Sequence, residues 1–382
     1  MNEDEDELRG EQPTQSESQG FGRRWLLSSV AAAAVTGVTG LALGRAAPPV
    51  APSAPATALP GEALASFLLP EEHRLDGVTW PIVPPRHLNI TVFSLGIAPT
   101  LHVVHDAVDA IRAATSDATS DAGVVTVVVG VAVPLAANVW PDRVSHSEKL
   151  PPFRNDSVPF TSDGDVVVQT SAETVTAVTD RVAAIVKAVS HAVPDTAVVW
   201  NSNGSRDAPT PTGTTRTPIG FIDGIINPRT PDLLAAGVWT DTGRDTYAVL
   251  RRIYVDTDFT RLPIADQEAA IGRRRDTGAP LSGGDATAQV DLFAKTQTGR
   301  LLLPPAAHAR RAHPSNIGRA LMLRRSYALS DTTRTGLLFL AFLNDPETFV
   351  MTQNRLDEED DFIAHTSTDA GGVFFVPDPS RP

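Results

Sequence analysis

The sequence contains no cysteine among its 382 residues. That excludes disulfides, thiolate metal ligands, iron–sulfur clusters and cysteine nucleophiles together, so any metal site has to be built from His, Asp, Glu or backbone oxygens. Positive charge is also short: 32 Lys and Arg against 45 Asp and Glu leave a formal charge of −13. A grip on nucleic acid needs clustered cations to displace counterions, so none is expected here. Two further patterns are missing. There is no Gly-rich strand-to-helix loop to cradle a nucleotide, and no ligand cluster for a hydrolytic zinc. What is present is globular material, 42% hydrophobic and 20% charged, with enough length to bury a large core.

The N-terminus reads as an address. Residues 1–22 are acidic and polar; then Arg23 and Arg24 stand directly before Trp25, Leu26 and Leu27 and a weakly apolar run to about Leu43. Paired arginines before such a segment look like a twin-arginine export signal, cleaved between Gly44 and Ala56. The run is long enough to span a membrane, yet its Ala, Gly and Thr content makes insertion weak, so no stable anchor is expected. The expected location is extracellular or in the cell envelope. The twin-arginine route exports proteins already folded, commonly with a cofactor aboard. A Pro/Ala-rich linker follows to Pro60.

The remaining chain alternates strand-like and helix-like text. Residues 88–96, 123–133, 165–171 and 196–202 are β-branched and apolar, while 101–115 and 172–192 carry apolar residues at helical spacing, Val104, Ala107, Val108 and Ile111 among them. Strand, helix, strand, strand, helix, strand is the split βαβ plan. A second round follows: strands at 246–256, 319–330, 335–345 and 371–379, helices at 263–275 and 346–358. The predicted fold is therefore α+β, two ferredoxin-like domains with antiparallel sheets. The expected boundaries are a signal region at 1–47, a linker and arm at 48–84, and domains at 85–215 and 216–382. The second copy is interrupted between its first helix and second strand by about forty residues, 276–318, and an insertion of that length is more often functional than accidental.

At the junction of the copies stands "TPIGFIDGIINPRTP", where Asp223 is the single acid between Thr217 and Pro228. Asp-Gly is a common turn dipeptide, but a carboxylate among Phe221, Ile222, Ile225 and Ile226 also suits an apolar pocket that tunes its proton affinity. The insertion carries His308, flanked by alanines, and His313 before Pro314. Two histidines at i, i+5 do not share a helix face, which disfavours a common zinc; haem iron needs only one neutral imidazole. Arg310, Arg311 and Arg319 are placed to balance haem propionates.

"GFIDG" (220–224), "QEAAIGRRRDTGAPLSG" (267–283), "AAHARRAHP" (306–314), "LMLRRSYAL" (321–329) and "GLLFLAFLNDPETFVMTQNRL" (336–356), in this order and spacing, resemble the dye-decolorizing peroxidases of the exported A-type. The similarity covers nearly all of residues 85–380. It implies one haem b per chain, held in the second of two ferredoxin-like domains. It places the distal aspartate on Asp223, the distal arginine on Arg324 and the proximal iron ligand on His308. By the same resemblance Gly224, Ile225, Ile226 and the residues at 313–315 line the haem, and Leu337 to Phe342 form an apolar distal wall. The family commonly shows Asn-Pro-Arg where this chain has His313, Pro314 and Ser315, which removes the expected propionate contact and makes His313 a second ligand candidate. Pro314 restricts the backbone at His313, and the preceding "PPAAH" matches the family, so His308 is preferred.

In these roles Asp223 is base and proton shuttle, Arg324 stabilises the leaving oxygen, and a carboxylate orients His308; Asp291 and Glu347 are the two considered. Trp200, Trp239, Tyr254 and Tyr327 are core aromatics that could also relay electrons. The acidic runs 3–7 and 357–361 read as solvated faces. Implied partners are hydrogen peroxide, small or bulky aromatic reductants and the twin-arginine export machinery. Three functions stay open: a secreted peroxidase of dyes or phenolic compounds, a deferrochelatase-type protein releasing iron from haem, and a haem-binding protein without turnover. An aspartate is a poor store of protons near neutrality, so the first reading predicts dye oxidation running best in acid. A rate profile peaking above neutral, and unchanged in Asp223→Asn, would contradict it.

Overall fold

Each half of the chain supplies four antiparallel strands in one spatial order, and the two sets hydrogen-bond into a single ring. The computed structural model describes residue 69 and residues 71–115, 119–120, 123–162, 164–209, 214–330 and 333–381. The paired arginines at 23 and 24, the apolar run after them and the Pro/Ala-rich run lie outside the described residues.

In the first half, β1 (His87–Ser94), α1 (Leu101–Thr115), β2 (Thr126–Ala132), β3 (Val166–Ala172), α2 (Val175–Ala192) and β4 (Ala197–Ser205) follow the split βαβ plan. Across the sheet they run β4–β1–β3–β2. The second half has β5 (Thr246–Val255), α3 (Ile264–Ile271), α4 (His308–Arg311), β6 (Tyr327–Leu329), β7 (Gly336–Leu343), α5 (Glu347–Glu358) and β8 (Thr366–Val376). Its order is β8–β5–β7–β6, the same permutation. The free edges then meet: Leu329 of β6 stands opposite Gly204 of β4, and Phe374 of β8 opposite Ala132 of β2. All eight pairings are antiparallel. Closing the ring removes the exposed edges that an open four-stranded sheet would present.

Closure explains the valine-rich text. Leu88, Ile90 and Val92 of β1 pack inside the ring with Val167, Leu250, Leu338, Leu340 and Phe374. Phe93, Val166, Val168, Val249 and Ala341 face outward, against Val104, Ala107, Val108 and Ile111 of α1 and Ile185 and Val189 of α2. A strand covered on both faces is a continuous apolar run rather than an alternating one, and each such side chain taken from water contributes about 1.5–3 kcal/mol.

Several details differ from the sequence reading. The stretch 319–330 is two short strands, Leu323–Arg324 and Tyr327–Leu329, both in register on β7. The last strand starts at Thr366, ahead of its predicted Gly371, and the helix expected over 263–275 ends at Ile271. Short elements went unread: helices Val133–Val139 and Pro231–Gly237, and the strand Asp156–Ser162, which lies parallel to β8.

Asp245, at the foot of β5, joins three parts of the fold. Its side chain is fully buried and accepts from Arg143 Nη2 at 2.6 Å, Thr242 Oγ1 at 3.0 Å and the Asp378 amide at 2.8 Å. Removing one partner strands a buried charge, so Asp245→Ala is expected to cost about 3–5 kcal/mol. Urea unfolding checks this; a loss within 1 kcal/mol would mean that the pair is not a structural anchor.

Candidate active site

The outward-facing positions of β5 and β7 continue beyond the helical layer into a cavity. Ile253 and Val255 of β5 and Leu337 and Phe339 of β7 line it, while Leu250, Leu338 and Leu340 point into the ring. The cavity encloses about 1840 Å³ with its open mouth included, and its lining residues all fall between Thr217 and Thr366, in the second half of the chain. α5 supplies the facing wall through Phe349, Thr352, Gln353 and Leu356, and the insertion closes it with Gln289, Val290 and the segment around His308.

Asp223 reaches this cavity on a tight hairpin. Thr215–Arg216 pairs with Ile222–Asp223, Thr215 opposite Asp223, and the turn is closed by the Gly220 amide donating to Thr217 O at 2.8 Å. Arg216 Nη1 donates to the carbonyls of Gly220 and Arg275, at 2.7 and 2.8 Å, fastening the hairpin to the start of the insertion. Ile219 and Phe221 are buried with Val255, Phe259 and Ala270, and they line the cavity together with Ile222 and Asp223. Gly224 sits at φ +76, in the left-handed region that favours glycine. Asp223 Oδ1 accepts its amide at 2.7 Å. This acid therefore sits both at a turn and on the cavity wall.

Arg324 comes from the short strand on β7, opposite Ala341. Asn227 clamps its backbone from both sides, donating to Arg324 O at 2.9 Å and accepting from Arg324 N at 3.0 Å. The guanidinium donates to Ile226 O at 3.3 Å and lies 3.9 Å from Asp223 Oδ1. Alternation along the strand sends Arg325 the other way, fully buried, to the carbonyls of Val78 and Pro81.

His308 opens α4. Its Nδ1 lies 3.0 Å from Asp360 Oδ2, a carboxylate with no exposed side-chain surface, and Phe362 stands edge-on to the ring at 5.5 Å. Asp360 Oδ1 accepts the amides of Phe362 and Ile363, at 2.9 and 2.8 Å. With Nδ1 taken, Nε2 is the ring nitrogen left for a ligand.

The orienting carboxylate is thus neither Asp291 nor Glu347. Asp291 is exposed and accepts the amides of Phe293 and Ala294 in its own turn, and Glu347 begins α5. The reading of 357–361 as a solvated face fails at Asp360, which is buried; it holds at the exposed neighbour Asp361, whose carboxyl is pushed up by partial desolvation and by the charges of Asp360 and Glu359. Three expected propionate partners are also engaged elsewhere: Arg310 with the carbonyls of Leu292 and Leu303, Arg311 with Arg355 O and Glu358, and Arg319 with Asp345. The cations that line the cavity are Arg324 and Arg273; burial and the nearby Arg324 charge lower the Arg273 pKa. Arg273 lies in "GRRRD", a stretch singled out only for its similarity.

Gly224, Ile225, Ile226, His313 and Pro314 all line the cavity; Ser315 does not, being exposed and hydrogen-bonded to His313 Nδ1 through Oγ at 2.7 Å. Trp200, Trp239, Tyr254 and Tyr327 are all buried core residues. Among the described residues no group of three or more His, Asp and Glu is arranged to hold a metal ion.

Burial lowers the pKa of His313 below its ordinary 6.5. A group whose folded value is depressed binds fewer protons than in the unfolded chain, so its contribution to stability falls as pH drops through 6.5. NMR titration of the imidazoles is expected to show His313 midway protonated below 6.5; a midpoint at or above that value would contradict the burial.

The pattern described as "Dyp-type peroxidase, C-terminal" matches residues 214–381, the half that holds the cavity. A dye-decolorizing peroxidase of Thermobifida fusca is 31% identical, over 94% of this chain and 95% of its own length. A deferrochelatase of Escherichia coli is 30% identical over 62% of this chain and 60% of its own. Among solved structures, a DyP-type peroxidase from Cellulomonas bogoriensis superposes with a TM-score of 0.70 at 28% identity, covering 81% of this chain and 94% of that one. Ferric DtpA from Streptomyces lividans gives 0.70 at 27%, covering 84% and 96%. With a relative aligned over almost its whole length, and the fold superposing on a solved relative over most of the chain, the chain belongs to the dye-decolorizing peroxidase family.

Proposed function

We propose that this chain binds one haem b in the cavity beside β5, β7 and α5 and uses it to reduce hydrogen peroxide while oxidising dyes or phenolic compounds. The observation that carries the reading is the joint lining of one apolar cavity by His308, whose Nδ1 is held by the buried Asp360 carboxylate behind it, and by the ion pair Asp223–Arg324. The residues present fit the group. A flat apolar macrocycle is matched by aliphatic and aromatic walls, its anionic edge by Arg273, and its iron by a single imidazole with Nε2 free.

Bound haem supplies the iron at which the peroxide O–O bond is cleaved. The chain does the rest. His308 Nε2 holds the iron, and Asp360, accepting from Nδ1, fixes the tautomer and makes the imidazole a stronger donor. Asp223 Oδ2, whose partner oxygen is tied to the Gly224 amide, takes the proton from one peroxide oxygen and returns it to the other, which leaves as water. Arg324 holds positive charge where negative charge develops on the leaving oxygen. The two electrons come from aromatic reductants. His313 lines the same cavity, but its Nδ1 bonds only to the exposed Ser315 hydroxyl, whereas His308 has a buried carboxylate on its Nδ1, which supports His308 as the iron ligand. Export by the twin-arginine route is part of the proposal, supported by Arg23 and Arg24 before the apolar run.

A second reading, release of iron from haem with the porphyrin left intact, is supported by the several deferrochelatases at 30–31% identity. It differs in product: metal-free porphyrin rather than oxidised reductant.

Absorption spectra of purified protein, wild type beside variants, before and after one equivalent of peroxide, test both. The haem band is expected to vanish in His308→Ala and to weaken in Asp360→Ala, where losing the orienting carboxylate costs about 10–100-fold in affinity. Asp223→Asn and Arg324→Leu are expected to keep the band and to slow the peroxide-dependent change by about 10²–10³-fold. A band unchanged in His308→Ala would refute the ligand assignment, and accumulation of free porphyrin without oxidised reductant would replace the first reading by the second.

A further inference from the structure

Behind Arg324 lies a second, smaller cavity of about 700 Å³, open mouth included, that shares only Gly224 and Arg324 with the larger one. One wall is the arm that precedes β1, through Thr79, Ile82, Val83 and Pro84; the other is built around Leu323–Arg325 and Asn227–Arg229. Arg206, Arg324 and Arg325 all face it, with Arg229 at its border, and among the described residues no carboxylate lines it.

The donors of these side chains are partly answered, but by neutral groups. Arg325 donates to the carbonyls of Val78 and Pro81, Arg324 to Ile226 O, and Arg206 lies over the Tyr327 ring at 5.3 Å. Carbonyls and ring faces satisfy N–H groups without cancelling charge. Burial together with the Arg206 charge brings Arg325 down to about 10, the strain expected where guanidiniums converge without an acid. Among the described residues, the one carboxylate in ion-pair contact with Arg206, Arg324 or Arg325 is Asp223, reached by Arg324 from the other cavity. Clustered guanidiniums beside the apolar groups of Ile82, Val83 and Leu323 suit a ligand with an anionic head and an apolar body, since guanidinium forks match carboxylate geometry.

We propose that this cavity binds a small organic anion, an aromatic carboxylate in class, at a site distinct from the haem cavity and sharing Arg324 with it. An occupant there sets a negative charge against the cation that pairs with Asp223, so the site is placed to alter the distal pair without touching peroxide. The assignment stands apart from the peroxidase reading, because neither Arg206 nor Val83 lines the larger cavity.

Isothermal titration of the purified full-length protein with benzoate tests it, with benzamide as the neutral isostere and sodium chloride matched for ionic strength. One benzoate per chain is expected, with benzamide at least about 10-fold weaker, as for loss of a charge-assisted pair. Arg206→Gln is expected to weaken benzoate by a similar factor. Val83→Glu, which places a carboxylate in the cavity, is expected to abolish binding and raise the melting temperature. Its folding does not depend on removing an arginine. Equal binding of benzamide, no binding of benzoate, or full binding retained in both variants would overturn the proposal, whatever the outcome of the peroxide experiments.

Discussion

A carboxylate with no access to water has to have its charge and lone pairs answered by protein, and Asp360 does this with one imidazole and two amides. That requirement joins elements far apart in the chain. The amides belong to Phe362 and Ile363, where the chain turns from α5 into β8; the imidazole belongs to an insertion that begins some ninety residues earlier than β8. Arg311, three residues after His308, donates to Arg355 O of α5, and the Asp361 amide donates to Ala306 O. Apart from this seam the insertion rests on its own small cluster of Val290, Leu303 and Ala307, on the Arg216 hairpin and on the end of α3 at Gly272. His308 is therefore positioned by a charge buried where α5 turns into β8.

The helices and long strands were legible because their periodicity reports burial directly. Val104, Ala107, Val108 and Ile111 at helical spacing are the four residues that α1 buries, and α2 begins within three residues of its expected start. What could not be read was pairing across the two halves. The edge contacts of β6 with β4 and of β2 with β8 involve two residues on each strand, too few to leave a mark in composition, so the joining of the two ferredoxin-like halves into one ring was not foreseen. Short elements were missed for the same reason: a two-residue strand has no period.

The site was legible where chemistry is unusual locally and illegible where it depends on distance. Asp223 stood out as a lone acid among apolar residues, and the structure places it on the cavity. Asp360 sat in a run of acids, Asp357 to Asp361, whose density suggested solvent. Its burial comes from α5 ending and the chain turning inward at Phe362, and one local clue, an acid two and three residues before amides it can cap, is common in exposed turns as well. The arginines show the converse error. Arg310, Arg311 and Arg319 were close in sequence to His308, but helix and turn geometry sends them to carbonyls and carboxylates outside the cavity, whereas Arg273, thirty-five residues away, lines it.

The cations near the cavity also constrain what its acid can do. Among the described residues Asp223 has a single ionic partner, at 3.9 Å and not in hydrogen-bond contact, and one amide on Oδ1. A carboxylate locked in a bidentate pair would hold its charge too firmly to accept a proton and give it up again, while one with no cation beside it would be poorly ionised in apolar surroundings. The looser arrangement keeps Oδ2 unengaged and the charge supported. It depends on Arg324 being held by its backbone, through Asn227, rather than by its guanidinium. That division leaves the guanidinium on two longer contacts, Ile226 O at 3.3 Å and Asp223 at 3.9 Å, while the strand that carries it is held in register on β7.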